Sequence, residues 1–241
     1  MCTVTYIPGQ GKNFVLTSNR DEAPGRSADE FGILETDGIK ITFPRDKGAG
    51  GTWIAMASSD RVVCLLNGSY KKHSHQPPYK RSRGIMVLDF FKYAGAKDFF
   101  DQYDFDGMEP FTLVIVEYGK LWELRWDEES THVKSLDAAD FHLWASWTLY
   151  DETAQQKRLD WFEAWKRSAN GEYAEKILDF HQTAGDGDIR NDVVMNRDGR
   201  VQTIGITRVE KSDSAIGMVY YDLLNEQQQQ TKLELNRELV K

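Results

Sequence analysis

Features that would tie the chain to a membrane, to nucleic acid or to an oxidising compartment are scarce. No apolar run approaches the ~20 residues that a membrane-spanning helix needs. Only two of the 241 residues are cysteines, Cys2 and Cys64, which is too few for a disulfide scaffold. Acidic residues outnumber basic ones by 38 to 30, and an acidic surface repels phosphate backbones. We therefore expect no transmembrane segment, no nucleic-acid partner, and a cytoplasmic protein with reduced thiols.

Metal-binding residues are also sparse. The chain has five histidines, of which only His73 and His75 are closely spaced. No cysteine or carboxylate spacing adds the further ligands that a zinc site requires. We expect no metal and no other cofactor, so the predicted partner is a small-molecule substrate or ligand. The sequence leaves the oligomeric state open.

The residues that are present suit a folded domain with a sizeable core, because 40% are hydrophobic and 12% are aromatic. Strand patterns come first, helices follow in the middle, and strands return at the end. Strands are predicted at 2–7, 13–18, 39–43, 52–57, 61–66, 111–118, 121–126, 191–196, 200–209 and 215–222, and helices at 85–93, 96–103, 151–167 and 173–183. This grouping favours antiparallel sheets with helices packed outside them. We predict an α+β fold in one domain over residues 1–241, and assign no element to the polar tail.

The first two predicted strands form a hairpin around a turn centred near Gln10. Paired residues should then have numbers that sum to 20 or 21. Cys2 would lie opposite Ser18 or Asn19, and Arg20–Asp21 would fall just beyond the pairing, beside the N-terminus. The alternative is that Cys2 is an ordinary strand residue and that Arg20–Asp21 is a surface ion pair.

This neighbourhood predicts nucleophilic catalysis if Met1 is removed. Removal leaves an α-amine with a pKa near ~8 beside a thiol with a pKa near ~8.5. A guanidinium from Arg20 would favour the thiolate, and the α-amine would accept the thiol proton and later protonate the leaving amine. Asp21 would hold the ammonium group in place.

An acyl-transfer site also needs donors for the oxyanion. Asn67 follows the apolar strand at 61–66, and its amide is a candidate for this role. It is equally well explained as the first residue of an Asn-Gly turn. The glycine-rich residues 48–53 would bring backbone N–H groups close to a ligand, but they lack the Lys-Ser/Thr ending of a phosphate-binding P-loop.

Four motifs together resemble the NRDE family, which is named for its Asn-Arg-Asp-Glu sequence and includes the transport and Golgi organisation 2 proteins. They are Cys2 after Met1, residues 18–22, residues 50–53 and residues 65–68. The family is similar to the cysteine N-terminal-nucleophile (Ntn) hydrolases, among them bile-salt hydrolases and penicillin V acylases.

This resemblance implies a four-layer αββα sandwich of two antiparallel sheets. It implies Cys2 as nucleophile and base, Arg20 and Asp21 arranged around it, and Asn67 as oxyanion donor. The residues expected to contact the substrate are Asn19, Gly51, Thr52, Trp53 and Trp147.

Two positions depart from the family's hydrolases. Trp147 lies where a second asparagine is expected, and Ile204 lies where an arginine is expected, with Arg208 nearby. The leading hypothesis is hydrolysis of a non-peptide C–N amide bond in a small acylated substrate. A binding or trafficking module for lipid or haem is the alternative, since the family's eukaryotic members are associated with such roles, and a redox-sensing thiol at Cys2 is a third.

Overall fold

The computed structural model describes residues 3–236, which contain fourteen β-strands and four α-helices. Cys2, on which the catalytic prediction depends, lies outside these residues. The strands are β1 (Thr3–Pro8), β2 (Phe14–Glu22), β3 (Ala28–Thr36), β4 (Ile39–Asp46), β5 (Ile54–Ala57), β6 (Arg61–Asn67), β7 (Phe111–Glu117), β8 (Lys120–Trp126), β9 (Thr131–Leu136), β10 (His142–Ala145), β11 (Asn196–Arg197), β12 (Val201–Lys211), β13 (Ala215–Asp222) and β14 (Gln227–Glu234). The helices are α1 (Arg83–Asp89), α2 (Ala96–Gln102), α3 (Glu152–Ser168) and α4 (Tyr173–Thr183), with short 3-10 helices at Pro24–Arg26 and Phe90–Lys92.

The described strands form two antiparallel sheets of seven strands each. The first sheet has the order β10-β1-β2-β12-β13-β14, with β11 paired to β12, and the second runs from β3 to β9 in chain order. The second sheet is therefore a meander of consecutive hairpins. Between β7 and β8, Tyr118 and Gly119 have φ values of 54° and 81°, the left-handed values that a two-residue type I′ turn requires.

Apolar residues fill the space between the two sheets and under the helices. The central cluster, between the sheets, includes Val4, Leu16, Cys64 and Val114. On the outer face of the first sheet, α3 and α4 pack over β1 and β2. On the outer face of the second sheet, α1 and α2 pack over β5, β6 and β7. The four layers are helix, sheet, sheet and helix, which confirms the predicted αββα sandwich.

The helices begin and end close to the predicted positions. The α4 bounds agree with the prediction, and Asp151 caps α3 by accepting a hydrogen bond from the Ala154 N–H at 2.9 Å. The predicted helix over 85–93 is shorter, because α1 gives way to a 3-10 turn at Phe90–Lys92.

The register predicted for the N-terminal hairpin is wrong. Val4 pairs with Ser18 and Thr5 with Thr17, so paired numbers sum to 22 and not to 20 or 21. The turn extends over residues 9–13, where the Gly9 N–H bonds the Asn13 carbonyl at 2.8 Å, and Gly11 takes a left-handed φ of 64°. Ser18 therefore lies opposite Val4, and β2 continues through Arg20 and Asp21 to Glu22, paired to β12.

Four strands were not predicted, and they are the edge strands of the two sheets: β3 and β9 of the second sheet, β10 and β14 of the first. An edge strand contacts few apolar neighbours, so the residues of β3, β9 and β14 are largely exposed and polar. Part of the tail to which no element was assigned, Gln227–Glu234, is thus the strand β14. Conversely, of the predicted strand at 191–196 only Asn196 is in a strand, β11.

Candidate active site

The strand β2 separates two environments, because successive side chains point to opposite faces of a sheet. Leu16 faces the central cluster between the sheets, whereas Val15 faces α3 and α4. Arg20 lies on the same face as Leu16 and contacts Trp53, which directly precedes β5 of the second sheet. Asn19 and Asp21 lie on the other face, toward the helices.

Arg20 is held between an aromatic ring and a carboxylate. Its guanidinium carbon lies 3.9 Å from the centroid of the Trp53 ring, and its Nη2 lies 2.5 Å from Asp46 Oδ2. The side chain is only 6% exposed. Stacking and ion pairing fix the plane of the guanidinium, and its Nε is buried without a hydrogen-bond partner among the described residues.

Asp46 organises this side of the site. Its Oδ2 also accepts a hydrogen bond from Arg26 at 2.5 Å, and its Oδ1 accepts bonds from the backbone N–H groups of Gly48 and Ala49 at 2.8 and 3.1 Å. Burial acts to raise the pKa of the Asp46 carboxyl, but the two guanidinium groups outweigh burial and hold that pKa below its ordinary value. Asp46 is thus an anion that anchors Arg20.

Asp21 is fully buried on the opposite face of β2. Its two carboxylate oxygens accept hydrogen bonds from the hydroxyls of Tyr150 and Thr203, each at 2.7 Å. Burial raises the pKa of Asp21 above its ordinary value, although these two hydrogen bonds and the charge of Arg158 oppose the rise. A carboxylate in this environment is suited to hold a cationic group that comes within reach.

Arg158 of α3 connects this face to the start of β1. It is fully buried, it stacks over the Tyr150 ring at 3.4 Å, and its Nε donates to Thr3 Oγ1 at 3.1 Å. Its other donors bond the carbonyls of Ala154 and Asp192, each at 3.2 Å. The residue that follows Cys2 in the chain is therefore fixed by a buried guanidinium.

Asn67, at the end of β6, lines the same cavity as Arg20 and Trp53. Its carbonyl accepts a hydrogen bond from the Ser146 hydroxyl at 2.7 Å. Gly68 follows with a left-handed φ of 81°. Asn67 therefore both precedes a glycine in a turn-type conformation and lines the cavity.

The cavity next to Arg20 has a volume of about 410 Å³. It brings together Arg20, Asn67 and the predicted substrate contacts Gly51, Thr52 and Trp53. This cavity is called the site cavity below.

A family model described as Transport and Golgi organisation 2 matches residues 1–184. The chain belongs to this family. No curated protein matches it by sequence.

Solved structures that resemble this member of the Transport and Golgi organisation 2 family are Ntn hydrolases. A Caenorhabditis elegans N-acylethanolamine-hydrolyzing acid amidase ortholog superposes with a TM-score of 0.60 at 11% identity, covering 86% of this chain and 92% of the other. Two variants of the conjugated bile acid hydrolase of Clostridium perfringens each superpose with a TM-score of 0.54, at 10% and 12% identity, covering 96% and 95% of this chain and 92% of theirs. At such identities the likeness shows the shared fold alone.

Two of the predicted substrate contacts lie elsewhere. Asn19 is fully buried: its Nδ2 donates to the carbonyls of His181 and Val193 at 2.9 and 3.2 Å, and its Oδ1 meets the His181 ring. Trp147 lines a separate cavity of about 460 Å³, together with Tyr150 and Arg197. Neither residue lines the cavity beside Arg20.

The surroundings of Ile204 and of the residues near Trp147, the two positions that depart from the family's hydrolases, are also described. Ile204 is fully buried. Arg208 lines another cavity, beside β13 and β14, and donates to the Ala174 carbonyl at 3.1 Å. Ser146, beside Trp147, fastens the end of β6 through Asn67.

Sequence reasoning missed the residues that support the site: Asp46, Tyr150, Arg158, His181 and Thr203. His181, near the end of α4, is fully buried, where it bonds Thr5 Oγ1 at 2.7 Å, and burial lowers its pKa to about 3. The Asp46-Lys-Gly order was a signal for Asp46, because an Asp two residues before a Gly commonly bonds the following backbone N–H groups. The other four have no comparable local signal.

Residues 3–236 contain no group of three or more His, Cys, Asp and Glu side chains arranged to hold a metal ion. Within the same residues, no helix is both long enough and apolar enough to cross a membrane.

Proposed function

We propose that this protein is an N-terminal cysteine hydrolase that cleaves a non-peptide C–N amide bond in a small acylated substrate. Cys2, exposed as the first residue by removal of Met1, supplies the thiol and the α-amine. Arg20 favours the thiolate, Asp21 orients the α-ammonium group, and Asn67 donates to the oxyanion. The low cysteine content supports the further proposal that this reaction takes place in the cytoplasm.

The observation that carries this proposal is the convergence of separately assigned motifs. Arg20 of β2, Trp53 beside β5 and Asn67 of β6 come from three segments, and all three line the site cavity. Asp21 lies on the same strand as Arg20, and Thr3, bonded to Arg158 in the same layer as Asp21, directly follows Cys2. Random placement of motif residues on two sheets would not bring them to one end of the sandwich.

The reaction would proceed in two balanced steps. The thiolate sulfur attacks the carbonyl carbon, and the electron pair of the C=O bond moves to the oxygen, where donors stabilise it. The C–N bond breaks as the α-ammonium gives its proton to the leaving nitrogen, which leaves a thioester and a free amine. Water then attacks the thioester as the α-amine takes its proton, the C–S bond breaks, and the carboxylic acid leaves while the thiolate and the α-ammonium group are restored.

The first experiment maps thiol labelling of the purified protein at neutral pH with a limiting amount of alkylating reagent. Cys64 is the internal control, because it is fully buried in the central cluster. We expect Met1 to be absent and Cys2 to react at least tenfold faster than Cys64. Retained Met1, or equal rates for both thiols in the native protein, would contradict the proposal.

The second experiment screens amides with wild type and with Cys2→Ala. We expect release of amine from at least one substrate class by the wild type, and at least a thousandfold loss in the variant with no change in melting temperature. Turnover that persists in Cys2→Ala would rule out the mechanism.

A binding role on the same fold is the second candidate, and the observation that favours it is the position of Ile204 and Arg208. The arginine expected in the C-terminal part of a family hydrolase is replaced by a buried isoleucine, and Arg208 does not line the site cavity. If binding is the function, Cys2→Ala will retain ligand affinity and the wild type will hydrolyse no amide.

A further inference from the structure

Seven of the seventeen residues that line the site cavity are charged. Four arginines and three carboxylate residues line it, and six of these seven form three ion pairs: Arg20–Asp46, Arg26–Glu22 and Arg83–Glu109. The seventh, Arg81, pairs with Asp89, which does not line the cavity. The lining therefore carries one more guanidinium than carboxylate, and Leu65, Ala49 and aromatic rings are among the residues that supply apolar surface.

These ion pairs are already partly withdrawn from bulk water. The Arg20 and Asp46 side chains are 6% and 5% exposed, and those of Arg83 and Glu109 are each 15% exposed. Both pairs line the cavity, so part of their remaining hydration faces it. A hydrocarbon chain placed there would remove this hydration and offer no hydrogen bond in return, which is costly for charged groups.

The same wall contains guanidinium groups, which are hydrogen-bond donors. The Nε–H of Arg20 is buried and has no hydrogen-bond partner among the described residues. Glu109 accepts at Oε2 from Arg83 at 2.7 Å, while its Oε1 meets His73 at 3.0 Å and His75 at 3.3 Å. These bonds, together with the one that Arg83 Nη1 donates to the Pro110 carbonyl at 2.8 Å, hold the Arg83 guanidinium and its five N–H donors at the wall.

We propose that the site cavity selects small amides whose acyl part is short and carries hydrogen-bond acceptors, such as a carboxylate or hydroxyl, and that it excludes long-chain lipid amides. This inference rests on the proposed function and specifies its substrate class. The volume of about 410 Å³ is at the lower end of the ~300–1,000 Å³ of small-molecule sites. Such sites are usually lined mainly by apolar residues, so the charged lining here is a specificity signal.

The first test measures kcat/KM for a series of N-acylglycines, in which glycine is the common amine. The acyl groups are acetyl, butanoyl, octanoyl and succinyl, and each compound is used below its micellar concentration. Succinyl and butanoyl have the same carbon chain, so this pair isolates the polar end. We expect kcat/KM for succinyl to exceed that for butanoyl by tenfold or more, and octanoyl to be the poorest. In an apolar pocket, each added methylene would instead raise kcat/KM about fourfold, and that result would overturn the inference.

Binding of the same series to Cys2→Ala, measured by calorimetry, separates the two proposals. The wild type could turn over no member of the series while the variant binds succinyl more tightly than octanoyl. That result would contradict the proposed hydrolase activity and support the proposed ligand class. Turnover that favours octanoyl would keep the hydrolase and sink the substrate class. Failure of every member to bind would sink the substrate class as well.

A charge-removal variant tests the physical cause. The double variant Arg83→Met, Glu109→Leu replaces a largely buried ion pair by apolar groups of similar size. Such an exchange is often neutral for stability. We expect the octanoyl-to-succinyl ratio of kcat/KM to rise at least tenfold while the melting temperature stays within a few degrees. The matched control, Arg190→Met with Asp198→Leu, removes an exposed pair away from the cavity and should leave the ratio unchanged. An unchanged ratio in the folded cavity variant would contradict the inference.

Discussion

The side chains on the two faces of β2 have different partners, which are charged on one face and uncharged on the other. On the cavity face, Arg20 and Glu22 meet other charges, those of Asp46 and Arg26. On the helix face, Asn19 and Asp21 bond groups without charge: the His181 ring and carbonyl, and two hydroxyls. Both sets come from four consecutive residues. One strand can thus place charged partners on one side and uncharged hydrogen-bond partners on the other, because its side chains alternate.

The pKa values of two buried aspartates, Asp46 and Asp21, shift in opposite directions. Guanidinium groups outweigh burial and lower the pKa of Asp46, whereas burial dominates and raises the pKa of Asp21, whose direct partners are hydroxyls. The direct partners contribute to this difference in direction, because guanidinium groups favour the charged carboxylate more strongly than hydroxyls do. The predictions below alter one face at a time.

The largest effect is expected from Asp46→Ala on the cavity face. Removing one partner leaves the buried Arg20 uncompensated, which typically costs about 3–5 kcal/mol of unfolding free energy, and two backbone N–H groups also lose their acceptor. Urea unfolding at pH 7 measures this loss. Asp198→Ala, at an exposed ion pair, is the control and should cost less than about 1 kcal/mol; similar losses for both would show that Arg20 does not need Asp46.

The next effect belongs to the helix face and depends on pH. Burial lowers the pKa of His181 to about 3, so below its ordinary value of about 6.5 the unfolded chain binds a proton that the folded chain does not. Stability linked to His181 is therefore present above about pH 6.5 and lost by about 1.4 kcal/mol per pH unit as the pH falls toward the folded value.

His181→Gln removes this titration. The difference in unfolding free energy between wild type and variant should shrink by about 2 kcal/mol between pH 6.5 and pH 5. A constant difference for His181→Gln would mean that the folded protein admits a proton there.

A smaller loss is expected from Tyr150→Phe, which removes one of the two hydroxyls bonded to Asp21. A buried acceptor left without its donor costs about 1–3 kcal/mol, and the pKa of Asp21 should rise further because the Tyr150 bond opposes its rise. Stability at pH 7 should therefore fall more than stability at pH 5, where Asp21 is more readily protonated. Tyr221→Phe, on β13, is a matched control, and an equal fall at both pH values would contradict the account.

The smallest effect is expected from Glu22→Gln on the cavity face. Its partner Arg26 is 38% exposed and keeps its bond to Asp46, so the loss should stay below about 1 kcal/mol. Urea unfolding in parallel with Asp46→Ala checks the ranking. A loss as large as that of Asp46→Ala would place Glu22, and not Asp46, at the centre of the cavity face.

Local sequence patterns predicted the interior of the fold and failed at its edges. The buried strand at 61–66 and the helix at 173–183 agree closely with β6 and α4, because many apolar neighbours impose a clear period on such elements. The edge strands β3, β9, β10 and β14 lack that constraint. The hairpin register was wrong because it depends on how many residues the turn consumes, which Gly11 decides by its left-handed φ.

The candidate site divides in the same way. The sequence by itself determined the motif residues Arg20, Asp21 and Asn67, the grouped order of strands and helices, and membership of the family through residues 1–184. Those are properties of short segments, which a chain carries whether or not it is folded.

Only the tertiary structure decided what surrounds those residues. Asp46 reaches Arg20 across 26 positions, Tyr150 reaches Asp21 across 129, and Thr203 reaches it across 182. Each contact depends on the packing of a sheet against a helix layer or against another strand, so no local spacing encodes it. The charge of the cavity wall arises in the same way, because side chains from separate loops and helices face one space only after the sheets have packed together.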